Sequence, residues 1–432
     1  MLDIKFIREN PELVKENIKK KFQDEKIHLV DKVLEFDEEW RKEKKKADDL
    51  RHERNKISEE INQLKKAKDE KKAKELILKA KSIPEEIKKA ETREEELRVL
   101  LDETLLKIPN IMSKRVPIGK SDAENVEEKK FGKPKKFSFP VKSHVEVLEG
   151  LGLVDFDSSA RVSGNGFYYL EGDVALLNAA LTDYARDLMV SRGFKYVETP
   201  LLLREEIIDC VTDLKDKQLQ IYLVDDVKSK LALIGTSEHS LIGRYANQEI
   251  NEKMLPIKQT SYSMCFRKEI GSHGIDEKGL YRTHQFNKIE MVVICNPDVK
   301  ESEAFFKEMQ GITIDIFKNL EIPIRVLRIC SGDLGDLKYE QVDIEAWSPR
   351  QNKYFEVGSC SNLTESQARK LKIYTRIKNE RKVPHTLNNT AIATSRALVA
   401  ILENNQQKDG SVKIPKVLWK YTKFKEIKSS EK

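Results

Sequence analysis

Between Ser263 and Glu290 the chain gathers residue types that bind and orient phosphate. Ser263-Met-Cys-Phe-Arg-Lys-Glu269 alternates and ends on Arg267 and Glu269. A loop with Gly271, Gly274 and Gly279 follows. Arg282, His284, Phe286, Lys288 and Glu290 then alternate with less polar residues. Period-two alternation on both sides of a flexible loop predicts an antiparallel hairpin with one polar face. That face would carry two arginines, two carboxylates and an aromatic ring. The planar, permanently charged fork of arginine suits phosphate and carboxylate. A phenylalanine beside it can stack on a base. The combination points to a nucleotide site on a sheet surface, not in a glycine-rich loop at a helix start.

Phe-Arg-x-Glu, the glycine loop and Gly-Leu-x-Arg-x-His-Gln-Phe-x-Lys-x-Glu resemble motif 2 of the class II aminoacyl-tRNA synthetases. The His-Gln-Phe-x-Lys-x-Glu ending resembles the seryl-tRNA synthetase version of that motif, in its bacterial-type form. Three further segments agree in order and spacing. Thr236-Ser-Glu238 resembles the family's Thr-x-Glu loop. Phe355-Glu-Val-Gly-Ser-Cys-Ser-Asn362, followed by Gln367-Ala-Arg369, resembles its ATP-site strand. Leu387-Asn-Asn-Thr-Ala-Ile-Ala-Thr-Ser-Arg396 resembles motif 3.

The resemblance implies a serine–tRNA ligase that forms seryl-adenylate from ATP and L-serine and then loads tRNA(Ser). Charging of a selenocysteine tRNA stays open. Arg267 and Arg396 become the catalytic candidates. Arg267 would bridge the serine carboxylate and the α-phosphate, and Arg396 would hold the γ-phosphate. Thr236 and Glu238 match positions that hold the serine ammonium. Glu290 and Thr390 match those that hold its hydroxyl, and Asn388 belongs to the same pocket. Glu269, Arg282, Phe286, Glu356, Val357 and Ser359 complete the ATP site by the same resemblance. Glu356 and Ser359 match ligands of Mg²⁺, a hard cation that takes oxygen donors. No zinc is expected, because no His/Cys cluster is visible. His273 and His284 receive no proton-transfer role.

The elements that must position these residues read as follows. Along Phe36, Trp40, Glu43, Ala47, Leu50, Arg54, Ile57, Ile61 and Leu64 the spacings alternate between four and three, as in a coiled-coil seam. A second seam runs Ile83, Ile87, Ala90, Glu94, Leu97, Leu101, Thr104, Ile108. Ser82-Ile-Pro-Glu85 has capping-box spacing, with proline where a first turn tolerates it. Two helices with a reversal between Ala67 and Ser82 are predicted. The first, over Phe36–Lys68, would be roughly 50 Å long at about 1.5 Å per residue. Neither can bury its seam alone, so they should pair antiparallel.

The reversal is basic, with eight lysines between Lys65 and Lys81 against Asp69, Glu70 and Glu75. A solvated coiled-coil surface and a contact to an RNA backbone are equal readings of those charges. The resemblance favours RNA. It implies an arm that grips tRNA whose acceptor end enters the partner subunit's active site.

Ala175–Arg192 reads as an amphipathic helix leading into Gly193-Phe-Lys-Tyr-Val-Glu-Thr-Pro200. That unit resembles motif 1 and implies a homodimer through it. Asp343–Trp347 and Tyr354–Cys360 read as neighbouring antiparallel strands, and a helix should continue from Arg396 over Ala397–Asn404. The expected fold class is α+β: an N-terminal antiparallel helical hairpin, then an antiparallel-sheet catalytic domain flanked by helices. The expected division is 1–108 for tRNA binding, 109–141 as a linker with four prolines and two glycines, and 142–432 for catalysis.

Composition agrees with a globular, lysine-rich chain of 432 residues, 39% hydrophobic and 35% charged, with mean hydropathy −0.58. A net charge of +6 permits a nucleic-acid partner without demanding one. The start has no apolar signal core, and no apolar run is long enough for a membrane span. Five dispersed cysteines fit reduced thiols and a cytoplasmic location.

Some positions depart from the pattern. Asp209-Cys-Val-Thr-Asp-Leu-Lys-Asp-Lys-Gln218 stands where bacterial-type members have a glycine-rich turn and Leu-Pro-Lys-Phe. Gly358 replaces a frequent serine, and Ser395 a frequent proline. Two other functions remain as contrasts. A relative that loads a carrier protein would tend to lack the arm, and a non-catalytic RNA-binding paralogue would have lost the motif 2 and motif 3 arginines.

Overall fold

The computed structural model describes residues 1–226, 229–270 and 279–428, with backbone alone at 214–216, 225, 226 and 229. Gly271, Gly274 and His273 therefore lie outside the described residues. The chain divides into two units, Met1–Pro109 and Asn110–Lys432.

The first unit is helical: α1 Ile4–Glu9, α2 Pro11–Lys20, α3 Ile27–Lys66, α4 Glu70–Ala80 and α5 Ile83–Leu105. At about 1.5 Å per residue, α3 is roughly 60 Å long. Its start is tied down by Asp37, a buried carboxylate that pairs with Arg8 at 3.3 Å and Arg41 at 3.0 Å. The return helix runs antiparallel to it. Arg51 reaches Glu91 (2.7 Å), whereas Arg93 reaches back to Glu39 (3.2 Å). Between them the seam buries Ala47, Ile83, Ile87, Ala90, Leu97 and Leu101.

The reversal is tighter than the sequence suggests. Lys68 takes a left-handed φ of 59°, and Asp69 caps α4 by accepting from the Lys72 N–H at 3.3 Å. The lysine-rich stretch is thus helical. Ser82 does not form the expected capping box. Its backbone is already helical (φ −83°, ψ −25°) and its side chain makes no cap hydrogen bond. A capping serine needs an extended backbone, and here α4 runs almost directly into α5.

The second unit is built on one eight-stranded sheet. In chain order its strands are β1 Val126–Phe131, β2 Lys195–Tyr196, β3 Ile257–Phe266, β4 Gln285–Cys295, β5 Ile324–Arg328, β6 Glu340–Ser348, β7 Lys353–Thr364 and β8 His385–Ala393. Their spatial order is β1-β5-β6-β7-β8-β4-β3-β2. Every pair is antiparallel except β2 with β3. The main helices are α6 Gly172–Ser191, α7 Glu205–Val211, α8 Leu214–Gln220, α9 Val299–Asn319 and α10 Thr394–Asn405.

Alternation decides which sheet face is wet. Ile289, Met291 and Val293 of β4 pack into the core with Leu177 and Leu181 of α6, Phe306 and Ile316 of α9, and Leu398 of α10. The intervening Lys288 and Glu290 point to the other face, where a polar cleft lies.

The stretch 110–141 differs from a free linker. Asn110 is buried, and its amide donates to Leu337 O, Leu363 O and Thr364 Oγ1 at 3.0–3.2 Å. Val126–Phe131 adds the edge strand β1 to the sheet. Its exposed Glu127 and Glu128 pair with Arg325 and Arg328 of β5. Charged residues protect a sheet edge, and that charge hid the strand from a hydropathy reading. No helix among the described residues is long and apolar enough to cross a membrane.

Candidate active site

The predicted hairpin forms with Gln285 opposite Phe266 and Glu290 opposite Ser261. On its other side β4 pairs with β8, which places Glu290 opposite Thr390. Next come β7, with Ser361 opposite Asn388, and β6, with Asp343 opposite Ser359. Four central strands thus present polar side chains to one cleft.

One irregularity sets its chemistry. Along β7, Gly358 faces Ile344 but Glu356 faces Glu345, so Val357 is an extra residue. A bulge of this kind re-aims the side chains around it. Without it, strict alternation would put Glu356 and Ser359 on opposite faces. With it, both line the cleft. Val357 lines the same cleft but its side chain is buried in the core, which leaves its backbone for the site.

The cleft has two connected parts that share Arg267, Lys288, Glu356 and Thr390. One part holds Glu269, Arg282, Phe286, Val357 and Arg396. The other, enclosing ≈ 290 Å³, holds Thr236, Glu238, Glu290, Ser359 and Asn388. Every site residue named from the sequence lines one part or both.

Arg267 stands where the parts meet. Its Nε lies 3.4 Å from Gly235 O, and its guanidinium carbon sits 5.3 Å from the Phe286 ring centre. Arg282 pairs with Glu269 at 3.3 Å. Glu269 has a left-handed φ of 48°, where the hairpin leaves β3. Arg396, in the first turn of α10, contacts Glu356 twice: its Nη1 is 3.1 Å from Oε2 and 2.9 Å from the carbonyl oxygen. Its guanidinium also sits 5.3 Å from the Tyr281 ring centre.

In the larger part, Thr236 Oγ1 accepts from the Glu238 N–H (3.3 Å) at the start of a short helix. Gln367 and Asn388 both donate to Glu238 Oε1, at 2.8 and 2.9 Å. Burial, and then the charge of Glu290, push the Glu238 carboxyl up to about 7. Glu290 is buried and holds Lys288 at 2.6 Å, while the Thr390 hydroxyl donates to it at 3.2 Å.

His284 does not join this set. Its Nδ1 lies 2.9 Å from Arg267 O and 3.1 Å from the Tyr222 hydroxyl, so it holds the strand end.

Several cleft residues were not singled out from the sequence. Asp343 is paired in register with Ser359, and burial plus the neighbouring Glu356 charge push its carboxyl up to about 7. Burial raises Glu356 too, but Arg396 and Arg267 outweigh it and hold that carboxyl below its usual range. Lys338 enters from the loop before β6, with Nζ 2.6 Å from Gln341 Oε1. His239 is buried, and burial with the charges of Lys288 and Arg267 drives its pKa down to about 3. The alternation of Asp343-Ile-Glu-Ala-Trp347 was a usable signal for Asp343. Nothing local marked Lys338 or His239.

Two crowded carboxylates with a hydroxyl between the strands form an oxygen-only donor set. A hard divalent cation suits such a set, because it would relieve the repulsion that raises Asp343. Asp343, Glu356 and Ser359 therefore fit Mg²⁺.

Two family models match the chain: the seryl-tRNA synthetase N-terminal domain over residues 1–112, and the class II tRNA synthetase core domain (G, H, P, S and T) over 222–405. The serine–tRNA ligase of Methanospirillum hungatei is 43% identical over 430 residues, 99% of this chain and 100% of that protein. That of Pyrococcus horikoshii is 44% identical over 454 residues, 100% of this chain and 98% of its own length. Solved structures agree. Seryl-tRNA synthetase from Pyrococcus horikoshii complexed with ATP superimposes with a TM-score of 0.93 at 43% identity, covering 100% of both chains. Cytoplasmic serine–tRNA ligase from Naegleria fowleri in complex with AMP gives 0.89 at 33% identity, covering 100% of this chain and 99% of that one. With a matching helical hairpin, a matching core and full-length likeness to such enzymes, this chain belongs to the seryl-tRNA synthetase family.

Proposed function

We propose that the chain activates L-serine with ATP, releasing pyrophosphate, and then transfers serine to the 3′ end of tRNA(Ser). The observation that best supports this is Arg267 standing between a carboxylate-lined pocket and an arginine-rich, aromatic one. In the first step a serine carboxylate oxygen attacks the α-phosphorus. The bond to the β-phosphate oxygen breaks, and its electron pair leaves with pyrophosphate. No protein nucleophile takes part, so catalysis is orientation and charge stabilisation. In the second step a terminal ribose hydroxyl attacks the serine carbonyl and AMP leaves.

The fork of Arg267 bridges the serine carboxylate and the α-phosphate. Arg396 and Arg282 hold the rest of the triphosphate. Phe286 stacks on adenine, and Glu269 accepts from its amino group. Thr236 and Glu238 take the serine ammonium, and Glu290 with Thr390 takes the hydroxyl. Lacking that hydroxyl, alanine would forgo a hydrogen bond to the buried Glu290 carboxylate, a loss that a site built around a hydroxyl penalises. Glu356 and Ser359, with Asp343 beside them, would hold Mg²⁺, which supplies positive charge against the triphosphate.

The arm α3–α5 takes the tRNA. All eight lysines from Lys65 to Lys81 are exposed, as backbone contact requires. A second copy pairs through motif 1. Leu176 and Val190 of α6 are exposed, and β2 is an edge of the main sheet. Unpaired edges and exposed apolar side chains invite such a partner. The cytoplasm is the proposed compartment, in keeping with five cysteines present as thiols.

The direct test is ATP–pyrophosphate exchange with each of the twenty amino acids. Serine is expected to drive exchange far above the rest. A different preferred amino acid would overturn the reading.

Glu238 makes serine binding depend on pH. Its raised carboxyl holds a proton below about pH 7 in the free protein, and the serine ammonium favours the charged form. Serine binding should then release a proton below pH 7. Affinity should rise with pH up to about 7, by at most about tenfold per unit, and then level off. The same raised pKa makes the free protein lose stability as pH climbs from the ordinary carboxylate value of 4.5 to about 7. Titration calorimetry in two buffers of different ionisation enthalpy checks the proton count. A serine affinity that is flat across this range, with no proton released, contradicts the assignment of Glu238.

A further inference from the structure

We propose that Asp213 is a positioning residue that latches shut the amino-acid end of the cleft and sharpens its selectivity. The proposal rests on the reading of that end as the serine pocket. Asp213 lies in the segment that departs from the family pattern, at the break between α7 and α8. An aspartate at that place would normally cap the helix that follows it. Its backbone is extended as a cap requires (φ −75°, ψ 149°), but its side chain makes no cap hydrogen bond. Instead its Oδ2 accepts from the Asp336 N–H at 3.1 Å, 123 residues away.

That bond joins the two walls of the pocket mouth. On one side, Val211, Thr212 and Asp213 line the cavity. On the other, the loop that carries Asp336 sends Leu337 and Lys338 into it. The back of this loop is held by its own contacts: the Asn110 N–H donates to Asp336 O at 2.7 Å, and the Ser366 hydroxyl to Leu337 O at 2.6 Å. The front is held by Asp213. Close approach is built in at Gly335, where an added Cβ would come within 3.0 Å of Asp213 Oδ2 and 3.5 Å of the Lys338 side chain. With the latch made, the Lys338 ammonium stays by Gln341, beside Asp343. With it broken, the two walls can part. Serine then loses a closed pocket, and a larger side chain such as that of threonine gains room.

The test is steady-state pyrophosphate exchange with Asp213→Ala, Asp213→Asn and Gly335→Ala, after wild-type exchange has established serine as the substrate. Asp213→Ala should raise the KM for serine by about tenfold, the loss of roughly one hydrogen bond to an ionised group, and leave the KM for ATP nearly unchanged. Exchange with threonine relative to serine should rise. Asp213→Asn keeps an acceptor oxygen and should restore most of the serine affinity. Gly335→Ala perturbs the latch from the opposite wall, so it decides the matter if Asp213→Ala does not fold. Unchanged serine KM in Asp213→Ala or Gly335→Ala overturns the proposal. So does an equal rise for ATP and serine, or an asparagine variant no better than alanine. If wild-type exchange prefers another amino acid, the pocket reading itself has failed and not the latch.

Discussion

Replacing Arg267 with alanine is expected to abolish serine-dependent pyrophosphate exchange in a protein that still folds. The guanidinium lies at the junction of the two parts of the cleft, the position from which the proposed mechanism has it bridge both reacting groups. Its own contacts are a carbonyl oxygen and a ring face. No ion pair holds it among the described residues, and Glu356, whose carboxyl it helps to hold low, keeps its ion pair with Arg396 when Arg267 is removed. The fold should therefore survive, in contrast with removal of Glu290, which would leave Lys288 buried and unpaired. Loss of one preorganised, charge-assisted donor costs about 3 kcal/mol or more of transition-state stabilisation, a fall of roughly a hundredfold or greater. Arg267→Lys keeps the charge but loses the fork, and should recover only part of the rate. Thermal unfolding of the variant checks the fold. Exchange at the wild-type rate would remove Arg267 from the mechanism.

Neutralising the lysines of α4 and its flanks should separate charging from activation. These side chains are exposed and belong to the helical first unit. The residues proposed for activation all lie in the second. Pyrophosphate exchange should stay near normal while tRNA charging falls by about tenfold or more. Its salt dependence should become shallower with every tRNA phosphate that the arm no longer neutralises, because fewer counterions are then released on binding. Mixed dimers make the test sharper. One protomer carries the neutral tip and an intact site, and the other an intact tip and Arg267→Ala. If the arm of one subunit serves the site of its partner, this pair should still charge tRNA at one site. Absence of charging from verified heterodimers would mean that the arm acts in cis or does not bind tRNA.

The hairpin of motif 2 was legible because one strand face alternates over a long stretch, from Phe286 to Glu290, and alternation is a local signal. The α3–α5 pairing was legible for the same kind of reason, since a three-four spacing needs no distant partner to be read. The lysine-rich reversal was misjudged because charge masked helix-forming composition. Ser82 carries the letters of a capping box, yet the chain arrives at it already helical. Strand β1 was hidden for a third reason: an edge strand gains its bonds from β5, not from its own hydropathy.

Residue types and their periods by themselves predicted an antiparallel hairpin whose polar face, from Arg267 to Glu290, suits a nucleotide, and the hairpin forms; the remaining candidates, such as Glu356 and Arg396, came from the resemblance. The periods also determined the long antiparallel arm. What only the tertiary structure decided is how separated segments meet. The bulge at Val357 turns Glu356 and Ser359 to one face, a result that depends on pairing with β6. The raised carboxyls of Glu238 and Asp343 come from burial and from neighbours on other strands. Lys338 from the loop before β6, His239 from a short helix, and the bond from Asp213 to Asp336 meet at the cleft from segments far apart in the chain. Electrostatics and register act through space, so a chain read in order carries them only after it has folded.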